Sequence, residues 1–178
     1  MNQIRICRMT KELARQYYRQ YEQDPMLFMD MSLFQPYVYS DARSDAQYQR
    51  QNDLGRVYLA VMLDQKPIGE VILKNIDREN HNCTLSISLQ NDSVKNHGYG
   101  TQAEMLALEY AFGELEMETV YADAVHKNKR SQHVLEKVGF RETHADDIFR
   151  YYRCNRANWQ QSLTSSDISD PLESQTDP

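Results

Sequence analysis

The chain changes its hydrophobic period several times, and each change marks an element. Ile4-Arg5-Ile6-Cys7-Arg8 alternates apolar and polar residues, which predicts a short first strand. Behind Thr10, a suitable N-cap, Leu13, Tyr17 and Tyr21 recur every fourth residue, predicting a helix through about Tyr21. Residues 24–39 are dense in Met, Phe and Tyr but interrupted by Pro25 and Pro36, so no regular element is expected there. A second helix is predicted over 41–51, ending near Gly55. Beyond Gly55 the period falls to two. Val57–Leu63 and Ile68–Ile76 read as strands joined by the turn Asp64-Gln65-Lys66-Pro67, and Thr84–Leu89 as a third, with Leu85, Ile87 and Leu89 on one face.

After a polar loop over 90–97, a helical pattern runs from Thr101 to about Leu115 with apolar residues on more than one side, which calls for packing on both. Thr119–Val125 reads as a strand. Asn128–Val138 reads as a helix closed by Gly139-Phe140, with glycine in the left-handed position past its end. Ile148–Cys154 alternates as a final strand. From residue 158 onward Ser, Thr, Asp, Gln and Pro dominate, so 158–178 is expected to be a disordered polar tail behind a single domain at 1–157. The order β-α-α-β-β-β-α-β-α-β gives an α/β chain with a mixed sheet.

Composition narrows the function. With 178 residues there is material for one well-filled core. No apolar run approaches the ~20 residues of a membrane span, and the N-terminus lacks the pattern of a secretory signal. Three widely spaced cysteines, Cys7, Cys83 and Cys154, without a C-x-x-C pair, fit reduced thiols in a cytoplasm. A net charge of −6 argues against a nucleic-acid partner and suits a cationic one such as an amine. No metal is expected, because the histidines show no ligand spacing with Cys, Asp or Glu.

The most informative stretch is the loop into the 101–115 helix. Gly98 and Gly100 stand at spacing two where a helix begins, and the first turn of a helix presents unpaired N–H groups and the positive end of its dipole. An anion fits there if side chains do not obstruct it, with Lys95 adding a cation and Thr101 a hydroxyl. A tight turn needing two glycines is the competing reading. A Walker loop is excluded, since Gly100 is followed by Thr101-Gln102 and not by Lys-Ser/Thr. A dinucleotide loop is disfavoured by Ala103 and by a position after a meander.

Taken together, Lys95-x-x-Gly98-x-Gly100-Thr101 and Asn128-x-Arg130-Ser131 with Lys137-Val138-Gly139-Phe140 resemble the GNAT acetyltransferases. The first matches their [Arg/Gln]-x-x-Gly-x-Gly/Ala signature except at Lys95. The second resembles an element of the branch that includes ribosomal-protein alanine acetyltransferases. The resemblance runs from about Val57 to Tyr152. It implies a mostly antiparallel twisted sheet flanked by helices, with a V-shaped splay after the strand at 84–89. It also implies acetyl-CoA as co-substrate. The pantetheine arm would pair with Ile87, Leu89 and Gln90, and the pyrophosphate would sit over Lys95, Asn96, His97, Gly98, Tyr99, Gly100 and Thr101. Asn128 and Ser131 would face the thioester.

Transfer to an amine requires a base, oxyanion donors and a proton for the departing thiolate. Glu70 is the leading base, against the reading of a solvated strand-face carboxylate. The family's helical tyrosine falls at Leu135 and is absent, which leaves Ser131 as proton donor or as a helix-capping hydroxyl; Tyr151 and Tyr152 are further choices. His97 is either a phosphate contact or merely exposed. Residues 26–39 line the acceptor pocket or pack under a loop. The expected acceptor is an amine-bearing small molecule or a peptide N-terminus, with monomer and homodimer both open. A non-catalytic acyl-CoA-binding module is the alternative.

Overall fold

The computed structural model describes residues 4–28 and 30–160. Seven strands form one sheet: β1 (Ile4–Arg8), β2 (Val57–Leu63), β3 (Lys66–Asp77), β4 (Asn82–Leu89), β5 (Thr119–Val125), β6 (Arg141–Ala145) and β7 (Phe149–Asn155), in the order β1-β2-β3-β4-β5-β7-β6. Helices α1 (Lys11–Arg19) and α2 (Asp41–Asp53) precede β2; α3 (Tyr99–Gly113) and α4 (Lys129–Lys137) flank β5. Every pairing is antiparallel except β4 with β5. That parallel pairing spans only Asn82–Thr84 against Thr119–Tyr121, after which the strands part. The expected splay therefore opens within the C-terminal half of β4.

The helices begin where short polar side chains satisfy their first amides. Thr10 Oγ1 accepts from the Leu13 N–H at 3.2 Å, and Ser40 Oγ from that of Arg43 at 3.1 Å. At the end of α4, the Gly139 N–H donates to Glu136 O and the Phe140 N–H to Leu135 O. With Gly139 at φ 104° this is the glycine-closed ending that the sequence predicts, and Phe140 is buried.

Two apolar clusters cover the two faces of the sheet. Ala103, Ala107, Leu108 and Phe112 of α3 pack on one face with Leu85, Val71 and Val120. On the other, Ala14, Tyr17 and Tyr18 of α1 pack on Tyr58, Ala60 and Ile72. Gly69, opposite Leu89, is a point of close approach: a Cβ there would lie 2.8 Å from both Ser88 O and Leu89 Cδ2.

Three expectations change. α3 starts at Tyr99, two residues before the predicted Thr101, because Gly98 caps it in a left-handed conformation at φ 79°. β6 went unpredicted. All five of its residues are exposed, and a strand that pairs only with β7 at the sheet edge carries no apolar alternation. Finally, the chain remains ordered past 157. A helical turn spans 156–160, and Trp159, only 6% exposed, packs on Phe112 with ring centroids 5.3 Å apart. The rest of the expected tail, 161–178, lies outside the described residues.

Candidate active site

Where β4 and β5 separate, a cleft passes through the sheet. Its walls are Ile87, Ser88 and Leu89 of β4 and, opposite, Ala122–Val125 of β5 with Asn128 and Ser131 at the start of α4. One end opens at Lys95, Gly100 and Arg130, the other at Tyr21, Glu70 and Phe149.

The β4 wall is a free strand edge. The Gln90 N–H donates to Ile68 O at 2.9 Å, which places the hydrogen-bonded pairs of β3 and β4 at the even-numbered β4 residues. Ile87 and Leu89 therefore turn their main-chain groups away from β3 and into the gap left by β5. Gln90 does not join them. Its N–H is held by Ile68, and its carbonyl accepts from the Glu22 N–H at 2.7 Å, so the strand has turned in toward the domain by that residue.

At the first end, Gly98 contributes no side-chain cap, and the first amide of α3 with an intrahelical acceptor is that of Gln102, bound to Gly98 O at 3.0 Å. The Tyr99, Gly100 and Thr101 amides point out of the helix start. A Cβ on Gly98 would meet nothing closer than Gln102 Nε2 at 3.9 Å, so its glycine is required by φ and not by crowding. Asn96 also has positive φ, 63°, and His97 stacks on Tyr99 with centroids 5.6 Å apart. Lys95 departs from expectation. Its Nζ sits 2.7 Å from Asp24 Oδ2 and 2.9 Å from Asp92 Oδ1, with the side chain 12% exposed, so it pins the loop to residue 24 and offers no unpaired cation. The more exposed cation at this end of the cleft is Arg130, its side chain 52% exposed, with Asp92 3.9 Å away. Its signal in sequence is its place in Asn128-x-Arg130-Ser131 at the start of the α4 helix.

Asn128 Oδ1 accepts from the Ser131 N–H at 3.0 Å, so Asn128 is the α4 cap and the Ser131 hydroxyl is not. Ser131 and the buried Leu135 both line the cleft. Tyr151 and Tyr152 lie elsewhere: the Tyr151 hydroxyl donates to Asp146 at 2.7 Å, and Tyr152 is a buried residue of β7.

At the other end Glu70 is buried, 9% exposed, which removes the solvated reading. Its Oε2 accepts from the Tyr58 hydroxyl at 2.6 Å and the Tyr18 hydroxyl at 3.0 Å. Burial raises its pKa and these two bonds oppose the rise. Burial and the Glu70 charge hold both phenols well above their ordinary range, so they act as neutral donors. Tyr21 and Tyr37 extend the aromatic wall, edge to face at 5.3 Å, with the Arg43 guanidinium 4.3 Å from the Tyr37 ring centre. From the 26–39 segment, Leu27 reaches the cleft, while Leu33 and Val38 are exposed.

Among the described residues no group of three or more His, Cys, Asp or Glu is placed to hold a metal, and no helix is long and apolar enough to cross a membrane.

The sequence model of the Acetyltransferase (GNAT) domain family matches residues 3–141. Several solved structures share the fold. One is a probable acetyltransferase, 21% identical with a TM-score of 0.71, covering 89% of this chain and 96% of that chain. A second is a chimera of the spermidine N-acetyltransferase SpeG from Vibrio cholerae with hSSAT, 18% identical with a TM-score of 0.72, covering 89% and 98%. A third is apo FdhC, a nucleotide-linked sugar GNAT, 16% identical with a TM-score of 0.74, covering 93% and 94%. No curated protein matches the chain in sequence.

Proposed function

Since the chain belongs to the GNAT acetyltransferase family, we propose that it moves an acetyl group from acetyl-CoA to a primary amine by direct attack. The observation that carries this reading is the cleft itself. A bare helix start lies at one end, a free strand edge runs along it, and a buried carboxylate stands at the other.

In this reading the pyrophosphate rests on the Tyr99, Gly100 and Thr101 amides, with Arg130 in place of Lys95 as the nearby cation. The pantetheine arm adds to β4 at Ile87 and Leu89 as a short extra strand. The amine enters beside Tyr21 and Glu70, where Glu70, directly or through a water, takes the proton that an alkylammonium must lose before it attacks. Its burial, which outweighs the opposing hydrogen bonds from the two tyrosines, suits a carboxylate working closer to neutrality than one in water. Ser131, with its hydroxyl free of capping duty, is the proton donor nearest the thioester wall. The acceptor is an amine-bearing small molecule such as a polyamine, or a peptide N-terminus. The Asn128-x-Arg130-Ser131 element supports the branch that includes the ribosomal-protein alanine acetyltransferases. The three free thiols support a cytoplasmic setting.

One observation favours a second reading, a non-catalytic acyl-CoA-binding module: Leu135 occupies the place of the family's tyrosine. Thiol release from acetyl-CoA, measured across polyamines, small amines and peptides, separates the two. Turnover with any amine supports the enzyme. Tight CoA binding without turnover supports the module, and absence of CoA binding removes both.

A further inference from the structure

Glu104, in the second turn of α3, is the one cleft-lining residue among the described residues whose side chain is sealed from solvent with a polar atom unmatched. It is 2% exposed, and its Oε2 has no hydrogen-bond partner. A buried polar atom left unpaired is costly, so such a group calls for an explanation. Its position supplies one. Glu104 borders both the half of the cleft that opens at Gly100 and Arg130 and the half that opens at Glu70 and Phe149.

We propose that Glu104 is a ligand contact, its carboxyl donating a hydrogen bond to a carbonyl of the pantetheine arm of bound acyl-CoA. The inference rests on the acetyltransferase reading above and extends it. With the pyrophosphate at the start of α3 and the acetyl group near Glu70, the stretch of ligand passing Glu104 is the arm between them, which carries two amide carbonyls.

The surroundings favour a neutral donor over a carboxylate. The titratable side chains that share the cleft are Tyr21, Glu22 and Asp24 in the stretch after α1, Glu70 on β3, Lys95 in the loop, Asp123 on β5 and Arg130 on α4. The strand β1, which also packs on α3, adds none. Lys95 is already shared by Asp24 and Asp92. Burial alone pushes the Glu104 carboxyl up to about 8, with no charge partner pulling it back.

If the bound state requires the proton and the free site loses it above about 8, acyl-CoA binding must take up a proton at alkaline pH. Calorimetric titration of the protein with acetyl-CoA, without amine, in buffers of different ionisation enthalpy counts that proton. The thioester has no thiol to titrate. The expected result is close to one proton taken up at pH 9.5 and almost none at pH 7, with affinity falling about tenfold per pH unit above 8. In Glu104→Gln, which keeps a donor of the same shape, uptake at pH 9.5 vanishes while affinity at pH 7 stays within a few fold of wild type. Equal uptake in both proteins, or none in the wild type, overturns the role of Glu104 and leaves the acetyltransferase reading standing. Failure of the wild type to bind acetyl-CoA at pH 7 overturns both.

Discussion

Replacing Tyr58 with phenylalanine removes one hydroxyl and tests the chemistry assigned to Glu70. The Tyr58 hydroxyl lies 2.6 Å from Glu70 Oε2 and is the larger of the two contacts that favour the charged form; Tyr18, at 3.0 Å, is the other. A hydrogen bond to a charged group contributes about 1.5–3 kcal/mol, which corresponds to about 1–2 pKa units. Tyr58→Phe therefore raises the Glu70 pKa, already elevated by burial, by that amount. A base must be ionised to accept a proton, so the acid limb of the rate moves to higher pH. The assay is turnover of acetyl-CoA with a fixed amine across pH 5.5–9.5, expressed as the ratio of variant to wild type so that the titration of the amine cancels. The ratio is expected to approach a plateau at the alkaline end and to fall about 10- to 100-fold at the acid end. Tyr18→Phe gives the same profile with a smaller displacement. A ratio that is low but flat across the range refutes the reasoning, because the tyrosines then pack the site without tuning a base.

Gly100→Val places a side chain where the phosphates approach, and its Cβ meets only Leu89 Cδ1 at 3.9 Å. Acetyl-CoA affinity by calorimetry should fall at least about tenfold at unchanged melting temperature, and unchanged affinity moves the anion site elsewhere. Gly69→Ala forces a methyl against Ser88 O, a main-chain atom that cannot swing aside, and should cost about 1–3 kcal/mol in urea unfolding. An unshifted midpoint would show that β3 and β4 separate easily. Trp159→Ala strips the buried ring from Phe112 and should cost about 3 kcal/mol. A loss below about 0.5 kcal/mol would make the 156–160 turn dispensable.

Most elements were legible because their periodicity reflects what they bury. β1, β2 and β5 begin and end where alternation starts and stops, and the caps Thr10, Asn128 and Gly139 stand where the pattern placed them. β6 was not legible, since an edge strand is fixed by main-chain pairing with β7 and leaves no trace in side-chain polarity. Trp159 was hidden by its polar neighbours, because one buried ring cannot set a period. Within the site, Gly98 and Gly100 announced a bare helix start through their own chemistry. Glu70 announced much less: its residue type and strand were readable, but its burial depends on two tyrosines, Tyr18 and Tyr58, from separate elements. Lys95 misled for the same reason. A lysine beside a glycine loop suggests a phosphate contact until the fold brings Asp24 to it. Glu104 gave no signal, being one more polar residue in a helix apolar on several sides.

The brevity of the parallel pairing between β4 and β5 has a mechanical consequence. Hydrogen bonding passes from the β1–β4 half of the sheet to the β5–β7 half through a seam of three residue pairs, Asn82–Thr84 with Thr119–Tyr121. Below that seam the halves are bridged by helices and not by ladder. A guest that paired its own amides with the β4 edge, as proposed for the pantetheine arm, would act as a suture between the two half-sheets. On the acetyltransferase reading, stiffness across the waist of the molecule would be borrowed from the bound acyl carrier and given up when it leaves.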